Sequence, residues 1–179
     1  MRIREAGKVN DRVWYLGCKE SGMYLLTGQR VAMLISAGIS FILEDVLQQM
    51  SAFGIEGETI NSLLILHSHF DHVGTVPYFK RKYPHIKIYA FKRAWDILTM
   101  PKAIETMNVF SKMVAEKMGR QDVLSRYDLE WRNDVSGAEV GEGDVLKVDD
   151  LEVRVMETPG HSSCSISAYI PELKTLLPS

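Results

Sequence analysis

Apolar positions along the chain change period several times, and each change marks an element. Residues 13–16, 23–26 and 31–35 are dense in Val, Leu, Tyr, Met and Ile and read as three short strands. Gly17, Ser21-Gly22 and Thr27-Gly28-Gln29-Arg30 punctuate them, the last as a four-residue hairpin loop. Between residues 41 and 53 the period lengthens. Ile42, Val46, Met50 and Phe53 recur at helical spacing, with Ser40 as N-cap and Gly54 as a stop. The unbroken run 62–66 is the pattern of a buried strand. A helix over 73–83, a strand over 86–90 and a short helix over 91–99 follow.

In residues 101–118, Ala103, Met107, Phe110, Val114 and Met118 step by three and four, with Pro101 at a first helical position and Gly119 as C′ cap. Methionine is dense there. The stripe either packs on the body or a partner subunit, or forms an adaptable wall that accommodates an apolar acyl group. Residues 121–134 carry no assignable period. From 139 onward the pattern is β: strands over 144–148 and 151–157 around Asp149-Asp150, then a hairpin over 165–177 around Pro171-Glu172. Strand, helix, strand in this order predicts an α/β fold, with functional groups at the C-terminal ends of strands.

Composition narrows the class. The chain is 46% hydrophobic and 25% charged, the balance of a globular domain, and its length suits one domain, residues 1–179. A net charge of −2 argues against a nucleic-acid partner, and Lys80-Arg81-Lys82 reads as a solvated helix face. Cys18 and Cys164 are too few for a disulfide framework and read as buried thiols of a reducing compartment. Without a signal-like apolar segment or a membrane span, the expected location is the cytoplasm, with no membrane partner.

The chemistry gathers in His67-Ser68-His69-Phe70-Asp71-His72, immediately after the buried strand. In extended backbone, side chains two apart share a side, so His67, His69 and Asp71 point together, and a helix starting near Asp71 turns His72 toward them. Imidazoles and a carboxylate converging at a strand end suit a transition metal. His161, in Thr158-Pro159-Gly160-His161, follows a second strand; His85 lies outside both motifs and reads as surface.

The H-x-H-x-D-H string and the later Pro-Gly-His turn resemble those of the metallo-β-lactamase superfamily. The resemblance runs from about residue 13 to the C-terminus. It implies an αβ/βα sandwich with Zn²⁺ (one or two ions; iron or manganese as alternatives) between its sheets, and residues 92–134 as a helical insertion. Carried over, His67, His69 and His161 hold the first metal, while Asp71 and His72 begin the second site. Asp71 also holds or relays the proton of the attacking water. The implied function is a hydrolase using a metal-bound hydroxide on a small-molecule substrate, with a thioester or lactone favoured by the apolar stripe. An iron-dependent oxidoreductase is the alternative, although His69 stands where the flavodiiron branch carries Glu.

Two departures qualify the resemblance. Ser36 stands where the family commonly carries an Asp behind the metal loop. The metal-bridging Asp and later His expected beyond the Pro-Gly-His turn are not among residues 162–179. The sequence therefore reads as the front portion of a longer enzyme, with the second half of the sandwich incomplete. A catalytically silent fragment is the third reading. Apolar surface that would face the absent half predicts a homo-oligomer.

Overall fold

The computed structural model describes residues 5–179; residues 1–4 of the expected domain lie outside the described residues. Two sheets form the body. The first begins as an antiparallel meander of β1 (Gly7–Lys8), β2 (Val13–Gly17), β3 (Gly22–Thr27) and β4 (Ala32–Ile35). It continues in parallel through β5 (Ile60–Ile65), β6 (Lys87–Phe91) and β7 (Ala138–Val140), in the order β1 to β7. The second sheet is antiparallel: β8 (Val145–Val148), β9 (Leu151–Glu157), β10 (Ile166–Ile170) and β11 (Thr175–Leu177).

The helices are α1 (Leu43–Ala52), α2 (Phe70–Val73), α3 (Val76–Lys82), α4 (Lys92–Leu98), α5 (Pro101–Lys117) and α6 (Gln121–Arg126). Side-chain alternation in the central strands assigns the layers. Leu34, Leu63 and Ile65 pack with Val46, Met50 and Phe79 of the helices. Their neighbours Met33, Ile35, Leu64 and Leu66 pack with Val153, Val155, Ile166 and Ala168 of the second sheet. The buried strand of the sequence thus feeds two cores, one per face, which is why it lacks polar alternation. The result is the α/β sandwich expected, with helices on the outer face of the first sheet. Among the described residues no α-helix follows β8, and Val145, Met156 and Leu176 of the second sheet are exposed. No helix among the described residues is long and apolar enough to cross a membrane.

Several local expectations change. Ser40 does not cap α1 through its side chain; it sits buried in the 3-10 turn Ser40–Ile42 and its Oγ has no hydrogen-bond partner among the described residues. The helix expected over 73–83 is broken at Gly74-Thr75, because both residues bond back to the loop after β4. The Gly74 and Thr75 amides donate to Gly38 and Ala37 carbonyls, at 2.8 and 3.2 Å. Arg81 is not part of a merely solvated face. Its guanidinium reaches Asp134 at 2.9 Å and donates to the carbonyls of Asp128 and Glu130. The unassigned stretch 121–134 contains α6.

Candidate metal centre

β5 delivers the first ligand candidates. Beyond Ile65 the backbone bends at Leu66 and reaches His69, whose φ of −72° and ψ of 147° are extended, just before α2. His67 is buried, and its ring centroid lies 4.8 Å from that of His69, 4.0 Å from His72 and 5.4 Å from His161. Two groups of convergent ligand atoms result, each with its atoms within 4.8 Å of one another: His67, His69 and His161, and His67, Asp71 and His72. His67 belongs to both. All five site residues named from the sequence are therefore brought together. His85 stands apart, exposed, with its Nε2 at 3.1 Å from the Ile60 carbonyl.

Both sheets meet here. The amide of Ile166 at the start of β10 donates to the carbonyl of Leu66 at 2.9 Å, docking the loop that carries His161 beside the end of β5. His161 Nε2 comes within 3.1 Å of His69 Nδ1. From below, the loop after β4 braces α2: the Ala37 amide donates to the His72 carbonyl at 2.9 Å. Ser36 Oγ lies 3.1 Å from His72 Nδ1. The missing carboxylate at position 36 therefore does not leave His72 unsupported, because a hydroxyl orients the ring instead.

Electrostatics agree with a site for a cation. His67 is held down to about 3, first by burial and then by the neighbouring imidazoles of His72, His69 and His161. Burial also lowers His72, partly offset by Asp71, whose Oδ2 lies 3.8 Å from His72 Nε2. These rings are neutral and present lone pairs, the state a metal requires. The sharpest feature is His67 Nε2, a buried nitrogen with no hydrogen-bond partner among the described residues. Its Nδ1 is engaged by Ser179 Oγ at 2.6 Å, so Nε2 is the atom left to face the cluster. The donor set fits a borderline divalent ion such as Zn²⁺, or iron or manganese.

Sequence reading missed two neighbours of the site. Ser179 has no motif of its own, and only the pairing of β11 with β10 brings it to His67. Phe70, inside the motif, stacks on Phe110 of α5 with centroids 5.5 Å apart. Nearby, Ser162 pairs with Cys164, whose buried thiol also meets Ser68 Oγ at 3.3 Å. Cys164 lies outside both ligand groups.

A two-sheet sandwich with a histidine-rich cluster at the strand ends defines a class, and the chain belongs to it: the metallo-β-lactamase superfamily, whose family profile matches residues 17–178. Among curated proteins it is similar to a hydroxyacylglutathione hydrolase of Nitrobacter winogradskyi, 29% identical over 127 residues, covering 71% of this chain and 36% of that protein. A second, from Bradyrhizobium sp., is 30% identical over 122 residues, covering 68% and 32%. Among solved structures, a metallo-β-lactamase from Elizabethkingia meningoseptica matches with a TM-score of 0.73 at 19% identity, covering 94% of this chain and 56% of that one. A subclass B3 enzyme of Bradyrhizobium japonicum gives 0.71 at 20%, covering 93% and 56%. The chain thus spans about a third of the length of those curated relatives and little over half of those solved structures.

Proposed function

We propose that this chain carries the metal-binding part of a metal-dependent hydrolase acting on acyl compounds, a thioester or lactone. The observation that carries the reading is the orphaned, buried Nε2 of His67, a residue common to two groups of convergent ligands. His67, His69 and His161 would hold one ion, and Asp71 and His72 would contribute to a second. When bound, the ion would lower the pKa of a water toward neutrality and polarise the carbonyl under attack. Asp71, partly exposed, lines the openings on both sides of the cluster and is the group positioned to take a proton from water. Ser36 and the 36–38 backbone hold His72 in place. Similarity to hydroxyacylglutathione hydrolases supports acyl transfer to water over oxidation.

Metal analysis of the purified protein beside the His67→Ala/His69→Ala variant tests this. About one equivalent of zinc, lost in the variant, is expected. Iron as the native metal would redirect the assays to oxidoreductase chemistry. Absence of bound metal in the wild type, with no uptake on adding zinc, would sink the proposal for this chain. The exposed Val145, Met156 and Leu176 support self-association as a further part of this reading; a sedimentation coefficient independent of concentration, at the monomer value, would overturn it.

A further inference from the structure

On one side of the cluster the surface folds into a groove of about 590 Å³, within the size range of small-molecule sites. Ile97, Met100, Met107 and Phe110 from α4, the α4–α5 junction and α5 line it together with Phe70 of the metal motif. His69 and Asp71 line the same groove, so it opens directly onto the cluster. Met107 belongs to the helix-side core, with Ile97 and Phe70 packed against it, but core packing does not account for Met100 and Phe110. Of the α5 side chains only Met107 and Ala115 are buried, whereas Met100 is 53% exposed and Phe110 40% exposed. Phe70 stacks on Phe110 with an interplanar angle of 24°, tying the groove's shape to the motif itself.

The hydroxyls lining the groove are already engaged, and Lys102, His69 and Asp71 are its other polar residues. Thr106 Oγ1 donates to the Lys102 carbonyl at 2.8 Å, and the hydroxyls of Ser68 and Ser162 both pair with the Cys164 thiol. A substrate hydroxyl placed against Ile97, Met100, Met107 and Phe110 would give up water for side chains that offer no partner, which is costly. An alkyl chain loses nothing by the same move, and methionine and phenylalanine adapt to it.

We propose that this groove binds the acyl arm of the substrate and selects apolar alkyl acyl groups over hydroxylated ones. The proposal rests on the acyl-hydrolase reading for its place in the reaction but not for its binding chemistry. Alkanoates, the acid products of such a reaction, serve as probes. The metal-loaded protein, labelled with ¹³C at its methionine methyls, is titrated with acetate, butanoate, hexanoate and octanoate. The Met100 and Met107 methyl signals shift with octanoate, while those of Met23 and Met33 in the cores do not. Affinity rises about fourfold per added methylene, the factor corresponding to about 0.8 kcal/mol. Met100→Asp, at a position 53% exposed and outside the Phe70–Phe110 stack, weakens octanoate at least about tenfold and acetate far less.

Affinity independent of chain length, or unmoved Met100 and Met107 signals, would overturn the proposal. Shifts of those signals on dilution alone, without ligand, would assign the groove to a second copy of this chain and equally overturn it. The two readings fail separately. Chain-length-dependent binding without hydrolysis of octanoyl thioester or lactone removes the hydrolase reading and leaves the groove. Hydrolysis that is indifferent to acyl length, with unmoved methyls, removes the groove and leaves the hydrolase.

Discussion

Gly74 shows how tightly the metal loop is built from below. A Cβ at this position would lie 2.2 Å from the Ser40 amide nitrogen and 2.6 Å from the Ile39 carbonyl carbon, both backbone atoms with little room to move. Gly74→Ala is therefore expected to cost ~3 kcal/mol in urea unfolding. It should also displace α2 and His72, read as weaker zinc retention against a chelator. Ser36 is the opposite case, a side chain retained in spite of backbone strain: its φ is +63° in a residue that is not glycine. Ser36→Ala should lower metal affinity by about tenfold, through the loss of its contact to His72 Nδ1. Ser36→Gly relieves the strain but lacks the hydroxyl, so it should gain stability and still bind metal weakly. Equal affinity in wild type and both variants would mean that Ser36 does not position His72. From sequence, position 36 reads only as an absent carboxylate; its replacement by a hydroxyl is visible only once His72 has been turned toward it.

At the scale of elements, Arg81 joins α3 to the connection between α6 and β7. One guanidinium pairs with Asp134 and donates to the Asp128 and Glu130 carbonyls, and the Arg81 contact holds Asp134 well below its usual carboxylate range. Because that pKa is depressed in the fold, the stabilisation is present above the ordinary carboxylate value and fades as pH falls through the lowered one. Arg81→Met should cost ~2 kcal/mol by denaturant titration, and Lys82→Met less than about 0.5 kcal/mol. Equal costs would show that the cluster is a solvated face after all. The strands β2 to β5 and helices α1 and α5 are legible in the sequence because period, glycine and proline act within each segment. β7 is not: its three residues pair with β6 from across the whole helical stretch between them, and such pairing leaves little local pattern. The metal cluster is legible because four of its five members lie within six residues. The adjoining groove is not, since it depends on Phe70 meeting Phe110 across two helices.

For the whole molecule, the cluster sits at the seam where β5 and β10 bring the two sheets together, and its protonation is coupled to the stability of both cores. Without metal, the fold holds His67 neutral down to about 3, whereas the same ring in the unfolded chain titrates near 6.5. Between those values the unfolded chain binds the extra proton, so stability rises with pH and is lost as pH falls from about 6.5 toward 3. One such group contributes a slope of at most about 1.4 kcal/mol per pH unit. Chelator-treated protein should therefore unfold at progressively lower denaturant across that window. His67→Gln, which has no proton to gain there, should flatten the curve while still filling the buried position. Zinc added at neutral pH should raise the unfolding midpoint of the wild type, since it binds the folded state, and should leave His67→Gln little changed. If instead the variant shows the same acid slope as the wild type, the carboxylates elsewhere on the surface set the acid limit and the seam is not the weak point.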